Sequence, residues 1–235
     1  MPLSIGKALF MAGISSIGMA AMAQNRPAVL ELFTSQGCSS CPPAEKLVGE
    51  LAQRSDVLAL TFHVDYWDDL GWRDRFSSVE ATQRQREYAQ RLKLSSVYTP
   101  QAIIDGHDNL VGSNRPAIEA ALHGGRVGTP IALSVQQGRL RTEIGPQANA
   151  AASKVLVVAY LRSAVSPIGR GENAGRTIQE SNVVRGFRVL GQWRGLPQHF
   201  DIPIDSLPAD ATDVAILVQT QSEGAIIGAA HIALR

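Results

Sequence analysis

Cysteine is almost missing from this 235-residue chain: Cys38 and Cys41 are the only two, separated by Ser39 and Ser40. Neither a second Cys-x-x-Cys nor a close histidine pair accompanies them. That argues against a zinc site, even though His63 and Asp65 could be drawn as further ligands. Methionine stands at positions 1, 11, 19 and 22 and nowhere later. A copper carrier commonly draws on methionine as well as cysteine, so the chain beyond residue 22 is poorly supplied for that role. The formal charge is +1, from 22 basic and 21 acidic side chains. No basic surplus points to nucleic acid or an anionic membrane as partner. After residue 23 no apolar run approaches the ~20 residues that a membrane-spanning helix needs. Internal repeats and low-complexity tracts are absent, and no residue set calls for a metal or an organic cofactor.

The first 23 residues carry a clear pattern. Lys7 precedes the apolar run Ala8 to Ile14, and the small-residue site Ala21-Met22-Ala23 precedes polar Gln24-Asn25-Arg26. This reads as a secretory signal peptide over residues 1–23, with the mature protein in the periplasm or outside the cell; the alternative is a retained N-terminal anchor. Cleavage would remove every methionine together with one lysine. Cys38 and Cys41 would then be the only oxidisable sulfurs, and the formal charge would be about zero.

The remaining ~210 residues exceed one small core, and two domains are expected, at 26–124 and 129–235. The linker is read at Gly124 to Pro130. Before it, strand and helix patterns alternate. Val29 to Thr34 is a strand, Pro42 to Arg54 a helix opened by proline, and Val57 to Val64 an apolar central strand. Val79 to Leu94 is a charged helix with Glu80–Arg84 and Glu87–Arg91 spaced to pair. Gln101 to Asp105 is a strand, Leu110-Val111 a short return strand and Arg115 to His123 a helix. The order predicts an α/β layered domain. Beyond the linker, a hairpin over 131–144 and strands at 155–161, 187–193, 214–220 and 225–233 predict a mostly antiparallel β-sandwich. A Gly-rich polar loop runs from Gly169 to Arg176.

The sequence Gly37-Cys38-Ser39-Ser40-Cys41-Pro42-Pro43 lies between a strand and a helix start. A helix N-terminus presents unpaired N–H groups and partial positive charge, and both stabilise a thiolate. The spacing brings both sulfurs within reach of one short disulfide. Cys38 is placed to attack a partner's disulfide and Cys41 to resolve the mixed disulfide.

With these residues in view, the first domain resembles the thioredoxin fold, with Cys38-Ser39-Ser40-Cys41 as its active-site turn. Tyr98-Thr99-Pro100-Gln101 resembles the cis-proline segment that faces the cysteine pair in that fold. The whole chain resembles a family of secreted bacterial proteins with a thioredoxin-like domain, long labelled a domain of unknown function. The matching stretches are Glu31 to Pro43, His63 to Trp67, Tyr98 to Gln101 and Glu172 to Arg176. The resemblance implies that Thr99 and Pro100 hold an extended substrate. It also implies that Glu31 relays a proton beneath the cysteines, the alternative being an edge-strand Glu facing solvent or pairing with Lys46. The chain departs from thioredoxin itself in having Gly37 where tryptophan is usual and Ser39-Ser40 in place of Gly-Pro.

Three further readings concern the loop after the second strand. Tyr66, Trp67 and Trp72 sit at the edge where open α/β sheets carry their ligand crevice, as a wall for a polypeptide. The alternative is a structural loop that buries both tryptophans against the second domain. His63 is either a satisfied strand histidine or a proton-transfer group near Cys38. Asn173 and Arg176 either meet the first domain or a partner, or shape a turn around Gly171 and Gly175. Taken together, the residues predict disulfide exchange with protein thiols and disulfides, supplied by an unidentified redox partner. The competing readings are a secreted binding module with a structural disulfide and, more remotely, a copper-handling protein. A staple is expected to join distant segments, because stabilisation by chain entropy grows with loop length.

Overall fold

The computed structural model describes residues 24–235; the expected signal peptide lies outside them. In chain order the strands of the first half are β1 (Gln24–Arg26), β2 (Ala28–Thr34), β3 (Val57–His63), β4 (Gln101–Ile104) and β5 (Asp108–Val111). Its helices are α1 (Pro42–Leu51), α2 (Val79–Arg91) and α3 (Arg115–Leu122). The second half holds β6 (Arg126–Gly128), β7 (Ile131–Gln136), β8 (Arg139–Ile144), β9 (Ser153–Pro167), β10 (Thr177–Trp193), β11 (Gln198–Pro203), β12 (Asp213–Thr220) and β13 (Ile226–Ala233).

Eight strands form one sheet in the order β13-β12-β9-β10-β3-β2-β4-β5. β2 and β3 are parallel, β4 runs antiparallel to β2, and β5 turns back antiparallel to β4. Both β2 and β3 are buried along their whole length, as expected of strands covered on two faces. Alternation divides β2 cleanly. Leu30 and Leu32 face α1 and α3, packing with Ala44, Leu47, Val48, Ile118 and Leu122. Val29 and Phe33 face α2 and join Phe62 and Tyr88. That second cluster runs on into Leu156, Val158 and Leu217 of β9 and β12, so the two halves share apolar core. On the far face of β9 and β12, Val157, Val214 and Ile216 pack with Leu140, Ile144 and Trp193 beneath the three-stranded sheet β11-β8-β7.

The stretch expected as a linker carries β6, which pairs with β1 from Gln24↔Gly128 to Arg26↔Arg126. Arg26 and Arg126 both grip Asp105, at 2.6 and 2.7 Å. β9 and β10 are 15 and 17 residues long, well beyond the segments 155–161 and 187–193. Polar residues such as Glu180 and Ser166 sit at buried positions there and break the apolar alternation. This long hairpin meets β3 through a single parallel pairing, Val183↔Thr61. Its tip, residues 168–176, thereby reaches the carboxyl ends of β2 and β3.

Candidate active site at the Cys38–Cys41 turn

β2 ends at Thr34, and the chain folds back at once. Cys38 N–H donates to Ser35 O at 3.1 Å and Gly37 N–H to Ser35 Oγ at 3.0 Å. Cys41 N–H then closes the next turn on Cys38 O at 3.2 Å. α1 begins directly afterwards, with Cys41 as its N-cap and Pro42 and Pro43 in its first turn, where the missing N–H groups cost nothing. Cys38 therefore occupies the turn before the helix, not the helix itself. The two cysteines form a disulfide with Cα atoms 5.4 Å apart. Both are buried, Cys38 at 0% and Cys41 at 1% exposure, while Ser39 and Ser40 are exposed. Ser40 Oγ lies 3.3 Å from Cys38 Sγ. Gly37 has a steric reason: a Cβ there would stand 3.2 Å from Trp67 Cβ.

Behind the turn lies a buried polar cluster. His63, at the end of β3, has Nδ1 2.6 Å from Asp74 Oδ2. The same carboxylate oxygen accepts the Gln36 N–H at 2.8 Å, which ties the cluster to the turn. Burial works against a charged His63, but Asp74, with Glu45 and Glu180 beyond, outweighs that cost and raises it to about 9. Burial likewise opposes the Asp74 carboxylate, yet His63 and the Gln36 and Phe76 N–H groups hold it below the usual range. Gln36 Nε2 reaches Glu180 Oε1 at 2.6 Å and Ser166 Oγ at 3.0 Å, both from the β9–β10 hairpin.

Glu45 completes this cluster. It lies four residues after Cys41, one helical turn along α1, on a buried position. Burial pushes its carboxyl up to about 7, against the pull of the His63 charge; the Thr34 hydroxyl approaches it without closing a hydrogen bond of good geometry. Glu45 Oε2, Thr34 Oγ1 and His63 Nε2 are all buried and make no hydrogen bond among the described residues. A groove of about 800 Å³ between α1 and β10 runs past Glu45, flanked by Pro42, Lys46, Arg176 and Gln179.

On the other side of the turn, the Thr99–Pro100 peptide bond is cis. Thr99 Oγ1 accepts the Trp67 indole N–H at 2.9 Å. Pro100 and Ala44 of α1 both close on Gly112, where a Cβ would lie 3.0 and 3.3 Å from theirs. Tyr66 is half-buried against the core beneath α2, and burial pushes its hydroxyl up. Trp72 turns the other way. Its indole N–H donates to Gln36 Oε1 at 2.9 Å, and its side chain lies against Gly169 and Gly171 of the hairpin tip.

That tip grips the cysteine turn. Asn173, fully buried, donates through Nδ2 to Gln36 O and to Cys38 O, each at 2.9 Å. Arg176 Nη1 holds Asn173 Oδ1 at 3.0 Å. Glu172 Oε2 accepts the Ser39 N–H at 3.2 Å. Asn173 thus meets the first half of the chain, as one of the two sequence readings expects, while Arg176 binds Asn173 within the tip.

Glu31 corrects its expected role as a relay beneath the cysteines. Strand alternation puts it in phase with Val29 and Phe33, on the face opposite α1. There it is fully buried and bound by Arg84 through two contacts of 2.7 and 3.0 Å, with the Tyr88 hydroxyl as a further donor. It neither faces solvent nor pairs with Lys46. Arg84 has left its expected partner Glu80 for this buried one. The buried carboxyl one helical turn from Cys41 is Glu45, and its signal in the sequence is helical spacing from Cys41. Asp74 and Glu180 carry no comparable signal, because neither lies in a motif.

The arrangement offers a dithiol–disulfide pair at a helix start, a buried carboxyl near neutrality one turn behind it, and an imidazolium–carboxylate pair beneath. Among the described residues no group of three or more His, Cys, Asp or Glu side chains is gathered as a metal site. No helix among them is long and apolar enough to cross a membrane.

No curated protein matches the chain. A crystal structure of protein AGR_C_4864 from Agrobacterium tumefaciens is similar, with 31% identity and a TM-score of 0.79 over 91% of this chain and 97% of that one. The model of a family described as "Protein of unknown function (DUF1223)" matches residues 29–219, and the chain belongs to that family.

Proposed function

We propose that the protein is a thiol–disulfide oxidoreductase of the periplasm or the extracellular space, acting on protein thiols and disulfides through Cys38 and Cys41. The observation that carries this reading is the Cys38–Cys41 disulfide at the N-cap of α1, with Glu45 buried one turn behind Cys41. We read residues 28–122 as a thioredoxin-like unit, which the run β2-α1-β3-α2-β4-β5-α3 and the strand order β3-β2-β4-β5 support. The second half is read as a β-sandwich built on the β9–β12 face.

In the oxidised form, a substrate thiolate attacks Cys38 Sγ. The Cys38–Cys41 bond breaks, a mixed disulfide forms, and Cys41 leaves as a thiolate that takes the Glu45 proton. The second substrate thiolate then attacks its partner sulfur, closing the substrate disulfide and releasing Cys38. Two electrons pass from the substrate dithiol to the cysteine pair. The reverse sequence reduces a substrate disulfide. Thr99, Pro100 and the Trp67 ring line the approach from one side.

The near-complete burial of both cysteines favours a second reading, a structural staple in a binding module. One measurement separates the two: the reduction potential of the pair in graded thiol buffers. A value of about −120 to −270 mV supports the exchange reading, whereas one below about −300 mV makes the disulfide a resistant staple.

A further inference from the structure

The hairpin tip touches the cysteine turn with two polar side chains, Asn173 and Glu172, and one of them carries charge. Asn173 binds the carbonyls of Gln36 and Cys38, which fixes the backbone on both sides of Gly37. Glu172 instead takes the N–H of Ser39, the residue directly after Cys38. The other acidic and basic side chains of the site, Asp74, His63, Glu45 and Glu180, lie behind the turn, and Arg176 is engaged with Asn173. Glu172 is therefore the carboxylate on the outer side of the turn, and it is exposed. Its contact with Ser39 holds it below the ordinary carboxylate range, so it is ionised at neutral pH.

Reduction places negative charge on Cys38, beside the N–H groups that open α1. A thiolate there is stabilised by such donors and by nearby positive charge, and opposed by nearby negative charge. Glu172 acts against it twice: it takes the N–H of the residue that follows Cys38, and it sets a like charge on the turn that carries the sulfur. We infer that Glu172 is a positioning residue that lowers the reduction potential of the Cys38–Cys41 pair, so that the β9–β10 tip, from the far half of the chain, sets how reducing the site is. The inference rests on the exchange reading for its biological meaning, but the potential can be measured whether or not the protein is a catalyst. Linkage makes the coupling reciprocal: reduction of the pair weakens the grip of Glu172 on Ser39, and a partner that draws the tip away raises the potential.

The test uses the full mature chain carrying Glu172→Gln or Glu172→Lys. Glutamine keeps the shape and an oxygen that can accept the Ser39 N–H, while lysine reverses the charge. Equilibrium with graded dithiothreitol and glutathione is read beside the pH midpoint of Cys38 alkylation in the reduced protein. The expected result is graded with charge. Glu172→Gln favours the reduced form at least threefold, about 14 mV at 29.6 mV per tenfold change, and Glu172→Lys does so more strongly. The alkylation midpoint falls in the same order, and the differences shrink at 1 M salt, as for any exposed charge. Thermal unfolding confirms that both variants are folded; Glu172→Gln suffices if the lysine variant is not. Equal potentials and midpoints for the parent and Glu172→Gln overturn the inference. A parental potential below about −300 mV overturns the exchange reading alone, because the difference between parent and variant is still measured.

Discussion

His63 and Asp74 form a fully buried ion pair, Nδ1 to Oδ2 at 2.6 Å, with both side chains at 0% exposure. A pair so enclosed holds its charge only because each partner offsets the burial of the other, and removing one leaves an uncompensated charge. Asp74→Asn should therefore cost about 3–5 kcal/mol of stability, seen as a lower denaturant midpoint with unchanged slope. The pH dependence should change as well. In the parent, His63 is raised from 6.5 to about 9, so its contribution is complete below pH 6.5 and is lost as pH rises through 9. Without the Asp74 carboxylate, burial acts against only the weaker pull of Glu45 and Glu180, His63 is pushed toward its neutral form, and that decline should shrink. A variant as stable as the parent at pH 6 would show that the pair is not what holds the floor of the site.

Glu45 should leave two signatures. Its carboxyl is raised from 4.5 to about 7 by burial, so the unfolded chain loses this proton before the folded one does. Stability from this group is complete below pH 4.5 and is lost as pH rises through 7, on the order of 3 kcal/mol at about 1.4 kcal/mol per unit. Glu45→Gln should abolish that slope and be more stable than the parent at pH 8. If the carboxyl hands its proton to the leaving Cys41, the same variant should exchange disulfides about 10²-fold more slowly at pH 7 and lose any inflection near that pH. Rates measured from pH 5 to 9 decide it; a profile identical to the parent's would remove Glu45 from the mechanism.

The parts of the site legible in the sequence are those built from neighbours along the chain. Cys38 to Pro43 between an apolar strand and a proline-opened helix predicts the turn, and the apolar runs of β2 and β3 predict central strands. Glu31 went astray because the residues of a turn do not reveal which face of a strand the next helix covers; only the packing of Leu30 and Leu32 on α1 settles that. Glu180 and Asn173 reach Gln36 from 144 and 137 residues away, and no local pattern encodes such a meeting. Buried polar groups also disguise the strands that carry them. β10 begins at Thr177, but the polar residues before Val183 hide it. The expected linker at 124–130 has the glycines of a hinge, yet its middle is held by Arg126 on Asp105.

Glu31 itself supports a prediction of opposite kind. Arg84 and Tyr88 bind it on the face of the sheet away from the cysteines, and Gln219 of β12 joins them at 2.9 Å from the Tyr88 hydroxyl. The cluster thus ties α2 and β2 to the second half of the chain. Glu31→Gln leaves the Arg84 guanidinium buried without a counter-charge and should cost about 3–5 kcal/mol, whereas Glu31→Met with Arg84→Met should cost less than that single change. The reduction potential of the cysteine pair should be the same in every folded variant. A potential that moves with Glu31 while stability does not would restore it as a group of the active site.

Cys38 and Cys41 should prove unequal although both are buried. Cys41 is fixed as the helix N-cap, followed by two prolines, with buried Glu45 one turn behind it as its proton donor in the proposed exchange. Cys38 lies in the turn beside exposed Ser39 and Ser40, with Ser40 Oγ at 3.3 Å from its sulfur. In the proposed exchange it is the sulfur that a partner meets. Cys38→Ser should abolish exchange. Cys41→Ser should retain attack but lose resolution, so that mixed disulfides with protein thiols accumulate and are released by reductant on gels. Trapping through Cys41 in the Cys38→Ser variant would reverse the assignment. Parental exchange rates in both single variants would mean that this pair does not carry the chemistry, since the chain has no other cysteine to take its place.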